Sequence, residues 1–203
     1  MTLALLHHLV TTWPWYVIRA SGFIAAFLLI LLMLSGIGQV TGLFYRWAQP
    51  VTAWAIHKAL AYALAVSIAI HAGMLLIDHF MPFSLVQVLI PFASTYSNNV
   101  PLFGLALGFL GVACGIVAMY GVAIIIVTSL VWMERKKRAW KLLHYLSYAV
   151  IVLVFAHGLL VGTDLKTGLL RLAWLLCGLL LVAAILTRLW RAGTLQRRVP
   201  PHT

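Results

Sequence analysis

The chain alternates long apolar blocks with short polar punctuation. Residues 17–40 form the first block, 51–77 the second, 102–133 the third, 142–161 the fourth and 169–189 the fifth. None of them alternates with the two-residue period of a half-buried strand. Each is long enough, at about 1.5 Å per residue, to cross a bilayer core of about 30 Å as a helix. Trp13, Trp15 and Tyr16 flank the start of the first block, and Tyr45, Arg46 and Trp47 its end, as interfacial belts do. Pro50 suits the first turn of the next helix. Asp78 closes the second block. Pro82, Pro91 and Pro101 then surround SLVQVLIPF, a run too short to span. The stretch at 80–95 is expected to be interfacial or re-entrant, and 94–99 a polar loop. Gly36, Gly38 and Gly42 are expected to loosen the far end of the first block. Gly104, Gly108, Gly111 and Gly115 form two small-xxx-small units, suited to close helix packing or to a flat cofactor face. The pattern predicts an all-α integral membrane protein, a bundle of about five transmembrane helices.

Composition agrees. Of 203 residues 64% are apolar and 8% charged, and no Asp, Glu, Lys or Arg stands between His79 and Met133. A water-soluble domain of this size needs far more polar surface. The formal charge of +11 argues for membrane topology and anionic lipid rather than nucleic acid. With five spans, Arg46, Lys58, the ERKKRAWK loop at 134–141 and the tail arginines fall on one side. Arg19, Lys166 and Arg171 face the other, beside Asp78 and Asp164. The positive-inside rule makes the rich side cytoplasmic. The expectation is a multi-pass plasma (prokaryotic inner) membrane protein with its N-terminus outside and its C-terminus cytoplasmic. It divides into an outer-side segment at 1–16, a membrane domain at 17–190 and a basic cytoplasmic tail at 191–203. The start of the chain lacks the basic region of a signal peptide, and His7 and His8 read as surface residues. Cys114 and Cys177 stand alone in apolar blocks, with no CxxCH site for covalent haem.

Four histidines break the apolar pattern. His57 and His71 lie fourteen apart in the second block, His144 and His157 thirteen apart in the fourth. An ionisable residue inside a membrane is costly and reads as functional. Both blocks enter from the cytoplasmic side, so the histidines sort into two levels, an inner pair (His57, His144) and an outer pair (His71, His157). The levels are about 20 Å apart along a helix. Two neutral imidazoles per level suit bis-histidine haem, with iron saturated for one-electron transfer. The haem sites are thus expected between the second and fourth spans. Zinc would want closer ligands and often a thiolate or carboxylate. A proton relay lacks an intramembrane carboxylate, and hydrogen-bonded structural histidines would make the matched depths a coincidence. One angle is awkward. Fourteen residues put His57 and His71 about 40° apart on a helix, but thirteen put His144 and His157 about 140° apart. An overwound turn or a tilt must absorb the difference, or a single haem results. Arg19 could meet a haem propionate or snorkel to headgroups. Lys58 and Lys141 could do the same at the inner level. Tyr62, Tyr145 and Tyr148 read as core or interface.

HKALAYALAVSIAIHAGMLLIDHF and LHYLSYAVIVLVFAHG resemble the two histidine helices of the ferric reductase and NADPH oxidase transmembrane domain. IRASGFIAAFLLILLMLSGIG, IPFASTYS…GLALG and HGLLVGTD are similar to stand-alone prokaryotic members. The resemblance implies haem b and supports two haems, ligated by His57, His71, His144 and His157, with a single haem as the alternative left by the angles. It implies electron flow from a cytoplasmic donor to an outer acceptor. No Gly-rich dinucleotide fingerprint follows the membrane domain, so the donor is expected to be a separate flavin-containing reductase or quinol. That role is similar to the haem subunit of the periplasmic methionine sulfoxide reductase system. The acceptor is expected to be an outer-side redox protein or small molecule. Membrane lipid is the other partner, and the chain could serve within a larger complex. The competing expectation is an accessory or anchoring subunit, with or without haem.

Overall fold

The computed structural model describes the backbone of residues 2–79, 81–97, 101–102 and 105–197, and the side chains of 12–79, 81–97 and 107–191. Helix α1 covers Thr2–Val40, α2 Pro50–Leu75, α3 Leu85–Leu89, α4 Gly108–Trp132, α5 Lys137–His144, α6 Leu146–Val161 and α7 Gly168–Arg197. Five stretches are long and apolar enough to cross a membrane: Thr12–Val40, Pro50–Leu75, Gly108–Trp132, Lys137–Val161 and Gly168–Arg191. The protein is a multi-pass membrane protein, and the all-helical bundle expected from the pattern is the one observed.

The ends differ from the sequence expectation in instructive ways. Helix α1 starts well before residue 17 and carries Pro14 in its interior, which transmembrane helices tolerate. The side chains of His7 and His8 lie outside the described residues. At its far end α1 stays helical to Val40, so its glycines do not loosen it. Gly42 (φ +74°) makes the left-handed stop, and Gly38 packs against Phe44. The third span starts at Gly108, because residues 101–102 pair with 105–106 in a two-residue antiparallel ladder. Part of the basic 134–141 stretch is helical. Trp140, Leu143 and His144 are half-buried while Lys137, Arg138 and Lys141 point out, so amphipathic spacing carries the helix down to Lys137. The tail helix runs on to Arg197, and residues 198–203 lie outside the described residues.

Packing follows two antiparallel pairs. Helix α1 lies along α2, and α4 lies along α6, with α7 against α1. Small residues set the α4–α6 distance: a methyl added at Gly111 would come within 2.7 Å of Leu160, and one at Gly121 within 2.6 Å of Val150. Helices α2 and α6, which carry the histidines, barely approach each other through their backbones. A slot is left between them. At mid-height it is closed by Leu29, Met33, Leu64, Ala118, Val122, Val150 and Ile151, a buried apolar layer. Leu64 is the most enclosed large side chain, and it stands seven residues from each of His57 and His71.

The expected interfacial segment is a strap. Ser84 and Gln87 form a reciprocal capping box that starts the five-residue α3. The Tyr120 hydroxyl donates to the Leu89 carbonyl at 2.7 Å and ties α3 to α4. Phe92 takes a left-handed φ of 67°, a conformation uncommon outside glycine.

Candidate functional site

The four histidines come together as two pairs across the slot. His57 and His144 have ring centroids 6.4 Å apart, and His71 and His157 have theirs 6.3 Å apart. The first pair lies at the basic end of the bundle, near α5, and the second at the strap end. The angular problem of the thirteen-residue spacing is partly met at Tyr145. There the Tyr145 N–H donates to the Leu142 carbonyl and the Tyr148 N–H to the Tyr145 carbonyl, both three residues back. Such 3₁₀-type turns advance about 120° per residue rather than 100°. Overwinding in this direction swings His144 toward the face that bears His157.

Three of the four rings are fixed through Nδ1. His71 Nδ1 donates to the Ile18 carbonyl at 2.9 Å, and His157 Nδ1 to the Gly111 carbonyl at 2.8 Å. A carbonyl can only accept, so the proton sits on Nδ1 and the lone pair on Nε2. His57 Nδ1 lies 2.8 Å from Ser35 Oγ. The Ser35 hydroxyl already donates to the Leu32 carbonyl at 2.8 Å, so it accepts from His57, and the same tautomer follows. The same three rings rest on glycines. A methyl at Gly22 would lie 3.1 Å from His71, one at Gly36 3.3 Å from His57, and one at Gly115 2.5 Å from Nδ1 of His157. Gly22 and Gly36 are fourteen apart on α1, matching the fourteen between His57 and His71 on the antiparallel α2.

His144 is held differently. Its Nδ1 is buried with no partner among the described residues. The Trp140 ring packs against it at a tilt of 40°, centroids 5.2 Å apart, and Trp140 Nε1 donates to Ser129 Oγ at 3.0 Å. Beyond it, Arg188 of α7 lies over the rings of Tyr145 and Tyr148, at 5.4 and 5.3 Å.

A cavity of about 310 Å³ reaches the His71–His157 pair and is lined mainly by apolar side chains. Polar residues lining it include Arg19, Asp78, Gln87, Tyr96 and Asp164. Arg19 pairs with Asp164 from the α6–α7 turn and lies over the Trp15 ring at 4.0 Å. It therefore faces the cavity, held by the protein's own carboxylate rather than free. Burial pushes the Tyr96 hydroxyl above its usual range, so it stands neutral at the strap. Lys58 lies over Trp54 at 3.5 Å.

This arrangement fits a metal held between two imidazoles at each level. With metal–nitrogen bonds of about 2 Å on both sides and roughly 1 Å from nitrogen to ring centre, the centroids stand about 6 Å apart. Among the described residues no three His, Cys, Asp or Glu side chains converge, so an ordinary zinc donor set is not formed. Two imidazoles facing each other across the slot would suit a cofactor that brings its own remaining metal ligands.

A profile described as the ferric reductase like transmembrane component matches residues 21–155. The chain belongs to that family. The match takes in His57, His71 and His144, while His157 stands two residues beyond it and Arg19 two before it. No curated protein and no solved structure matches the chain. Ferric reductase like transmembrane components are haem-binding as a family, and the paired imidazoles here are of the kind that such binding needs. Sequence reasoning missed Gly22, Ser35, Trp140, Asp164 and Arg188 as parts of the site. Only Gly22 carried a signal, through its spacing from Gly36.

Proposed function

We propose that this protein is a transmembrane electron conduit built to hold two b-type haems. One would be held by His57 and His144, the other by His71 and His157. The observation that carries the reading is the pair of centroid separations, 6.4 and 6.3 Å, at two levels of one slot. Held by His57, His144, His71 and His157, haem would supply one-electron oxidation and reduction. The chain's own residues do the rest. Ile18, Ser35 and Gly111 fix the imidazole tautomers. The apolar layer around Leu64 separates the levels and keeps the space between them dry. Arg19, which lines the strap-end cavity and pairs with Asp164, would have to share its guanidinium with a haem carboxylate entering there.

Orientation follows the charges. The end with Lys136, Lys137, Arg138 and Lys141 is cytoplasmic and the strap end is outside, in a prokaryotic inner membrane. The donor is a flavin-containing reductase docking on the basic face, or quinol from the bilayer. The acceptor is a redox protein or small molecule reaching the strap. Haem quantification of the purified protein tests this reading, combined with single substitutions. His71→Ala or His157→Ala is expected to halve the haem per chain and to stop transfer across the membrane. Unchanged haem in both variants overturns the ligand assignment. Arg19→Gln is expected to lower retention at the strap end alone, so a loss shared by both levels would contradict its placement.

A further inference from the structure

Resting on that reading, we propose that the two histidine pairs are built to be unequal, with the His57–His144 site at the higher reduction potential. The asymmetry lies in what each Nδ1 meets. At the strap end both rings donate to helix carbonyls, of Ile18 and Gly111. At the basic end His57 donates to a serine hydroxyl, Ser35 Oγ, and His144 Nδ1 has no protein acceptor among the described residues. An axial imidazole that donates from its far nitrogen becomes a more basic ligand. A more basic ligand favours ferric over ferrous iron and lowers the potential; hydrogen bonding around the ligands is one of the protein's levers on it. Two carbonyl acceptors against one hydroxyl therefore rank the strap-end site below the basic-end site.

The basic-end ligands have other means of staying in place. Trp140 packs against His144 in a tilted ring contact and is pinned by Ser129, which orients the ring without drawing on its N–H. Ser35 and Trp140 are thus positioning residues. Arg188, a fixed cation over Tyr145 and Tyr148 beside His144, works in the same direction, since positive charge favours the reduced, less positive iron. At the strap end Arg19 and Asp164 balance each other as an ion pair, so that pair adds no net charge to the cavity. Ligand basicity and surrounding charge agree in sign. An electron then rests at the basic end, and outward movement is uphill in ligand terms. With the basic end cytoplasmic, an inside-negative membrane potential drives it in the outward direction.

A redox titration of the purified full chain, followed in the b-type absorbance, tests this. Two resolved waves are expected. Ser35→Ala removes the acceptor of His57 and is expected to shift the upper wave further up, leaving the lower wave in place. Ser35→Thr, which keeps the hydroxyl, restores the original position. A single wave in the native protein, a shift of the lower wave, or no shift overturns the inference. If Ser35→Ala loses haem instead, His71→Ala decides the order. Its retained haem must titrate with the upper wave, and titration with the lower wave overturns the ranking. Absence of b-type absorbance from the native protein would sink the haem reading itself, a separate result from equal or reversed waves.

Discussion

Glycine carries as much of this site as histidine does. Gly115 is the tightest case, since a methyl there would lie 2.5 Å from Nδ1 of His157. The ring would have to leave the Gly111 carbonyl. Gly115→Ala is expected to cost about 1–3 kcal/mol by overpacking and to lower haem at the strap end. Gly22→Ala, with 3.1 Å to His71, is expected to do less. Thermal unfolding and haem content of the two variants check the order, and a milder effect at Gly115 would contradict it. The histidines were legible in the sequence because an apolar chain makes them conspicuous. Their supports were not. Gly36 reads as a weak point of a helix until α2 is placed beside it, and Ser35 is one serine among apolar neighbours. A tautomer set by a carbonyl on another helix leaves no trace in local sequence.

At the level of elements, the spans were legible because membrane burial writes itself as length and hydropathy. One misjudged boundary has a clear cause in amphipathicity. Amphipathic turns such as 137–144 look like polar loops when read for charge alone, yet Trp140 and His144 belong to the buried face. The break at Tyr145 was foreseeable only as a need, from the mismatch of thirteen residues with helical periodicity. One residue inserted in α6 between Tyr148 and Val150 would turn His144 by about 100° relative to His157. Loss of one haem and retention of the other is the expected result, and retention of both would show that the turn does not set the alignment. The strap offers a gentler test. Tyr120→Phe removes the bond to the Leu89 carbonyl, worth about 1 kcal/mol net. Faster hydrogen exchange or proteolysis across α3 is expected, with haem content unchanged.

At the scale of the whole molecule, two helix pairs leave a slot whose ends differ in chemistry. One end is basic and aromatic, with Trp140, Arg188 and the lysines of α5; the other is a cavity whose lining includes Arg19, Asp78 and Asp164 under the strap. Reporter fusions or cysteine labelling should place the α4–α5 turn and the tail in the cytoplasm and the strap outside, since Lys and Arg on short loops set topology. Labelling of the strap from the cytoplasmic side would reverse the direction proposed for electron flow without touching the paired sites. The central claim is that each imidazole pair, 6.4 and 6.3 Å between centroids, holds one haem. The most direct measurement is pyridine haemochrome of the purified protein, as moles of haem b per chain. The account predicts two, falling to one with either His71→Ala or His144→Ala. Zero, or a content that neither substitution changes, would contradict it.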